Sequence, residues 1–197
     1  MSMTDDAAMT VDLAGRTYRL IGNDDAVSGA VAAALSANGA QASGSEADIL
    51  IAATPLLPDS SETGVPLPAV AEIGRSMAAR EGGRIVFLLS ALGGLPMRRH
   101  VDYSAAMAAA VAGMRGLAMA LGPHVLVNAV GAGVIEQGGE LLAGDRRMLT
   151  HASLGRAGTI ADITNAVLFL CDPMNTYTTG QLLTVDGGWS VGYGRNF

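Results

Sequence analysis

Two rhythms of apolar and polar residues alternate along this chain. Thr17 to Gly22, TYRLIG, is a short apolar run that predicts a strand, and VSGAVAAALSANGA after it has the small-residue pattern of a helix ending at Asn38-Gly39. DILIAA, Asp48 to Ala53, is a continuous apolar run of the kind buried on both faces of a parallel sheet. A Pro- and Ser-rich loop from Thr54 to Pro66 separates it from a predicted helix over Ala69 to Arg80. Then come a strand at Gly83 to Ser90, a long Ala-rich helix at Tyr103 to Leu121 and a strand at His124 to Gly131. The segment from Ala132 to about Gly158 is polar and Gly-rich, and it yields no clear element. Thr159, with Asp162 three residues on, marks a further helix start, and QLLTVDGG reads as a last strand closed by a glycine turn. Strand and helix alternate over short links, which predicts an α/β fold with a parallel sheet covered by helices on both faces. At 197 residues the chain has the length of one domain, residues 1–197.

Composition narrows the function. Half of the residues are apolar and 4% are aromatic, so the core is filled by Ala, Val, Leu, Ile and Met. A net charge of −6 argues against nucleic acid or an anionic membrane as a partner, since phosphate binding needs clustered cations. The apolar run Ala105 to Met114 is cut at Arg115, short of a membrane span, and MSMTDDAAMT lacks the pattern of a signal peptide. A single cysteine, Cys171, excludes an internal disulfide and a Cys-based metal site, and the three histidines have no metal spacing. The expectation is a soluble, cytoplasmic protein without a metal.

Five pieces in order, GRIVFLLSALGG, YSAAMAAAVAGMRGLAMAL, VLVNAVGAGVI, LGRAGTIADITNAVLFLCD and YTTGQLLTVDGGW, resemble the short-chain dehydrogenase/reductase (SDR) family from about Gly83 to Gly188. Ser90 precedes Tyr103 by the thirteen residues that separate the family's catalytic serine and tyrosine. The resemblance implies a doubly wound Rossmann-like sheet, a tyrosine acid/base, a serine that holds the substrate oxygen, and a lysine four residues after the tyrosine. That lysine has a physical purpose: only about one free phenol in a thousand is ionised at neutral pH, and an ammonium on the same helix face favours the charged form. Here the position is Met107, and all twelve basic residues are arginine, so no lysine elsewhere can substitute. Arg98 and Arg99, upstream of Tyr103, are the nearest cations in sequence. The family's helix asparagine is also missing, since no Asn lies between Asn38 and Asn128.

The cofactor end departs further. The family's first strand ends in Gly-x-x-x-Gly-x-Gly, which cradles the dinucleotide diphosphate at a helix N-terminus. This chain has GNDDAVSG: Gly22 stays, Ala26 and Ser28 replace the later glycines, and Asp24 and Asp25 fall where the phosphates would lie. A carboxylate within about 4 Å of a phosphate is repelled by roughly 1 kcal/mol in water and about four times that at a partly buried surface. The same aspartates favour the positive end of the following helix. Only eight residues separate Gly39 from Asp48, where the family has a further strand, helix and strand, so the sheet is expected to be truncated at that edge. Ala52, Ala53, Thr54 and Pro55 replace the family's Asn-Asn-Ala-Gly.

These losses predict that Ser90 and Tyr103 are remnants and that this chain binds no NAD(P). In the family, the long helix and the last helix and strand form two association axes, and some members pair a degenerate chain with an active one. The leading expectation is therefore a non-catalytic subunit in a hetero-oligomer, a tetramer by the family's pattern, whose active SDR partner carries the NAD(P). Its C-terminal GYGRNF is expected to reach towards the partner's substrate site, with Arg195 meeting an acidic group. Three alternatives stay open: a cofactor-free lyase or isomerase using Ser90 and Tyr103, an NAD(P)-dependent oxidoreductase with atypical cofactor binding, and a small-molecule sensor or binding protein.

Overall fold

A computed structural model describes residues 8–60 and 64–191. Six parallel strands form one sheet in the order β2-β1-β3-β4-β5-β8. They are β1 Thr17–Gly22, β2 Gln41–Ala42, β3 Ile49–Ala53, β4 Gly83–Ser90, β5 Val125–Ala132 and β8 Leu182–Val185. The helices are α1 Ala26–Ala37, α2 Leu67–Ala79, α3 Val101–Leu121 and α4 Ile160–Cys171, and a separate antiparallel hairpin joins β6 Ile135–Gln137 to β7 Glu140–Ala143.

Strand side chains alternate between two cores, as the two-residue period requires. Leu50, Ile85, Phe87, Leu89 and Val127 join α2 and α3 residues such as Met77, Met107 and Met114 on one face. Ile49, Ile51, Val86, Leu88 and Val130 join Val31 and Leu35 of α1 and Val167 and Leu168 of α4 on the other. This is the predicted doubly wound α/β architecture. The predicted helix boundaries hold to within two residues. Pro68, tolerated in the first turn because the amide it lacks would be unbonded there, lets α2 start at Leu67. Thr159 and Asp162 form the predicted reciprocal cap of α4.

The truncated edge differs in one detail from expectation. The link after α1 is not strandless: Gln41 and Ala42 run parallel to β1, paired with Thr17 and Tyr18. Gly39, at φ +97°, turns the chain out of the helix, and the Gln41 and Ser43 amides then donate to the carbonyls of Arg16 and Tyr18. The chain must next cross to Asp48 on the other side of β1, which limits this strand to two residues. So short an edge offers little template for pairing with another chain.

The segment without a clear sequence pattern is the second difference. Gly138 and Gly139, both at positive φ, make the tight two-residue turn of the β6–β7 hairpin. The hairpin lies over the carboxyl ends of the strands, where the Gly144 amide donates to Leu56 O at 3.0 Å.

By length and composition α3 satisfies the requirement for a membrane span, with a mean hydropathy of 1.4, a stronger apolar signal than the run ending at Arg115 suggests. Its inner face, including Tyr103, Met107, Val111 and Met114, packs on the sheet as a core helix does. Gly22 is fixed by geometry: at φ +94° it ends β1, and a Cβ there would collide with the carbonyl oxygen of Ala53. Gly22→Ala is therefore expected to destabilise the chain by about 3 kcal/mol, read as a lower denaturant midpoint with an unchanged slope.

Candidate functional site

The carboxyl ends of β1, β3, β4 and β5 converge under the hairpin, at the place where open α/β sheets bind ligands. Ser90 is the last residue of β4 and is fully buried. Its Oγ accepts from the Leu92 amide at 3.3 Å and so caps the short turn that follows the strand. Tyr103 lies in the first turn of α3 and is 3% exposed. The structure thus brings the predicted pair together, and a hydrogen bond from the Ser90 side chain reaches the phenol.

The phenol's own proton goes elsewhere. Tyr103 Oη donates to the backbone carbonyl of Pro55 at 2.6 Å, in the stretch that replaces Asn-Asn-Ala-Gly. Burial pushes the phenol up to about 12, and the Ser90 hydrogen bond offsets only part of that rise. At this value roughly one molecule in a hundred thousand carries a phenolate at neutral pH. Among the described residues, no cation opposes the shift. Met107, fully buried, occupies the position of the family lysine, with its thioether 3.7 Å from Thr54 Oγ1. The Thr54 hydroxyl donates to Leu88 O at 3.0 Å. Arg98 and Arg99 do not enter this environment: they line a different cavity, with Trp189.

The first turn of α1 is the family's diphosphate position. Asp25 caps it, its Oδ1 accepting from the amides of Val27 and Ser28 at 3.0 and 2.8 Å, while the Asp25 amide donates to Ser28 Oγ. Asn23 Nδ2 donates to the other carboxylate oxygen of Asp25. The amides that would hold a phosphate therefore already hold a carboxylate, and Asp24 is exposed beside them. A cavity of about 320 Å³ remains between this turn and the hairpin, lined by Asn23, Asp25, Val27, Leu56, Glu140 and Leu142. Two carboxylates face it. These residues do not fit a dinucleotide in the family's pose: the helix end is internally satisfied, and the charge in the cradle has the wrong sign.

Sequence reasoning missed what holds the hairpin in place. His100 Nε2 lies 3.1 Å from Asp145 Oδ2, joining the start of α3 to the residues after β7. Burial alone would raise the Asp145 carboxyl, but hydrogen bonds from the Arg147 amide and the His100 and Arg147 side chains, with the nearby guanidinium charge, keep it below the usual carboxylate range. The two partners are 45 positions apart, so no local pattern reveals them. Leu141 then packs into the Tyr103 core and Leu142 into the opposite one. Among the described residues, no three His, Cys, Asp or Glu side chains are grouped as a metal site would need. The predicted tail residue Arg195 lies outside the described residues, as do residues 192–197 as a whole.

Comparison with known proteins places this geometry. The family model described as Enoyl-(Acyl carrier protein) reductase matches residues 65–190, well over half of the chain. The chain belongs to the short-chain dehydrogenase/reductase family of oxidoreductases. It is 35% identical over 118 residues to the 3-oxoacyl-[acyl-carrier-protein] reductase FabG of Aquifex aeolicus (strain VF5), an alignment covering 58% of this chain and 48% of that protein. It is 36% identical over 126 residues to the NAD-dependent glycerol dehydrogenase of Listeria innocua, covering 60% and 49%. The chain spans about half the length of the curated relatives it matches. Among solved structures, a dehalogenation enzyme aligns with a TM-score of 0.74 at 22% identity, covering 90% of this chain and 99% of that one. A short-chain type dehydrogenase/reductase from Mycobacterium ulcerans aligns with a TM-score of 0.73 at 18% identity, covering 92% of each chain. At those identities the structures speak for the fold alone.

The buried phenol makes a pH prediction. Its folded value, about 12, is above the ordinary 10, so the stabilisation it carries is fully present below pH 10 and is lost as pH rises from there through 12. Ultraviolet difference titration should show one tyrosine ionising late, and Tyr103→Phe should remove both that step and its share of the alkaline loss of stability.

Proposed function

We propose that this chain is a non-catalytic SDR subunit that assembles with an active short-chain dehydrogenase/reductase in a cytoplasmic hetero-oligomer. In this reading it binds no NAD(P), its partner carries the cofactor, and its contribution is to stabilise the complex or shape the partner's substrate site. The observation that carries the reading is the Tyr103 to Pro55 hydrogen bond beside Met107. An acid/base must exchange its proton with substrate and be able to hold a negative charge. Tyr103 commits its proton to the backbone in an environment where the charged form is disfavoured. The capped first turn of α1 supports the same reading from the cofactor side. The relatives' names are those of reductases and dehydrogenases, so the difference proposed for this chain rests on its own substituted positions.

Two apolar surfaces support association. The outer face of α3 presents Ala105, Ala108, Ala109, Ala112, Gly116 and Met119, interrupted by Arg115, with Met119 81% exposed. A helix apolar on both faces is one that needs covering on both. At the opposite edge, Phe169 of α4, Leu183 of β8, Met174 and Tyr177 are exposed together with an unpaired strand edge. The small side chains of α3 let two helices approach closely, and two apolar faces allow two association axes, as a tetramer requires.

Tyr103→Phe, made in the complex with an active short-chain dehydrogenase/reductase that co-purifies with this chain, tests the catalytic half of the reading. The loss of a buried hydrogen bond should lower stability by about 1–2 kcal/mol while turnover changes less than about twofold. Turnover falling by roughly a hundredfold or more in the folded variant would assign Tyr103 a catalytic role and reject the proposal. Expression alone and together tests the other half: the two chains should co-elute, and Ala112→Arg on the open face of α3 should abolish co-elution without unfolding the chain. A purified solitary chain that binds NADPH at micromolar concentration and reduces a ketone would overturn both halves.

A further inference from the structure

A cavity of about 610 Å³ is lined by the loop that joins Ser90 to Tyr103, by residues after the hairpin and by Trp189, and not by Ser90, Tyr103 or Met107 themselves. Its apolar part is made by Leu95, Pro96, Met97 and Trp189, and its polar part by Arg98, Arg99, Arg147, Thr150 and His151. No carboxylate lines it, although the chain as a whole carries a net charge of −6. Three of twelve basic residues therefore line one concave surface. Arg147 is partly engaged, its Nη1 meeting Asp145 at 2.9 Å, whereas Arg98 and Arg99 have no ion pair among the described residues. Chance solvation of surface charge usually mixes signs. The contrast is visible in this same molecule, where a cavity at the amino ends of the strands gathers Arg16, Arg80 and Arg84 but also Asp48 and Glu81, with Arg80 paired to Glu46.

We propose that the Arg98/Arg99/Arg147 cavity is a binding site for a small organic anion: a carboxylate or phosphate monoester attached to a hydrocarbon or aromatic body. Each half of the site selects one half of such a ligand. The guanidinium groups donate charge-assisted hydrogen bonds to the anionic head, and the planar forks suit both carboxylate and phosphate geometry. Leu95, Met97 and the indole of Trp189 belong to the apolar core around Tyr103 and provide a rigid wall for the body of the ligand. The volume is in the range of small-molecule sites, roughly 300–1,000 Å³. Met97 is held from behind, its amide donating to Ser104 Oγ at 3.1 Å, which fixes the loop that presents the two arginines. The proposal does not depend on whether the chain works alone or beside a partner.

Trp189 is the only tryptophan in the chain, so its fluorescence reports on this cavity directly. The full chain, alone or in complex, is titrated with octanoate, octyl phosphate and octanol. Both anions, or one of them, should change the emission saturably and bind at least about tenfold tighter than octanol, since a charge-assisted contact is lost in the alcohol. Octyl phosphate as the tighter probe assigns a phosphomonoester, and octanoate a carboxylate. Raising salt should weaken the anions and leave octanol unchanged. In R98Q/R99Q, checked for an unchanged thermal transition, the preference for the anion should vanish. The single variants R98Q and R99Q carry the same test if the double variant does not fold, each reducing the preference by at least about threefold. No saturable response to either anion, equal affinity for octanol, or a preference that survives the arginine substitutions would overturn the proposal.

Discussion

A phenol has one proton to donate, and in this fold its destination decides what the surrounding residues can be. Tyr103 gives it to the carbonyl of Pro55, a contact that pins the loop after β3 to the start of α3. With the hydroxyl turned inward, a cation four residues on would be buried without a counter-charge, at a cost of several kcal/mol. Methionine at position 107 removes that problem, and its flexible thioether fills the space beside Thr54. The tyrosine and the methionine thus form one consistent arrangement: a sealed, uncharged junction between sheet and helix. The same logic makes Ser90 a capping residue rather than an exposed hydroxyl, because its oxygen accepts from Leu92 N and its own proton is directed to the phenol.

A parallel change occurs at the neighbouring strand end. Glycines at the helix start would leave amides open to an anion, and here Ser28 and Asp25 close them reciprocally. Capping of this kind contributes about 1 kcal/mol to the helix, and it needs no ligand to do so. The hairpin β6–β7 then lies over a cleft whose polar groups are already satisfied, with Leu142 and Ala143 packed against the α1 core. At these strand ends α1 is capped by its own residues, while the loop after β3 is bonded to Tyr103 of α3 and to Gly144 after the hairpin.

Much of this fold was legible in sequence because it is local. The two-residue period of the strands, the Asn38-Gly39 stop and the Thr159/Asp162 cap each depend on residues a few positions apart. So did the charge argument, since Asp24, Asp25 and Met107 are defined by their distance from Gly22 and Tyr103. What was not legible depends on partners far along the chain. Pro55 and Tyr103 are 48 positions apart, and His100 and Asp145 are 45 apart. The hairpin had a local signal, Gly138-Gly139 between Gln137 and Glu140, but its strands are too short and too polar for periodicity to register. The stub Gln41–Ala42 has no side-chain signature at all, because its two bonds to β1 are made by backbone.

The fate of the arginines follows from the same burial argument. A guanidinium is permanently charged, so it cannot enter the dry junction around Tyr103 without a partner, and no carboxylate waits there. Arg98 and Arg99 are held instead on the loop before α3, where water reaches them. They line the outer cavity with Trp189 and Arg147 rather than the junction around Tyr103. Loss of charge at one end of the Tyr103 core and concentration of charge at the other are two results of a single constraint. The uncharged junction around Tyr103 and the arginine-lined cavity backed by Trp189 thus lie on one apolar core.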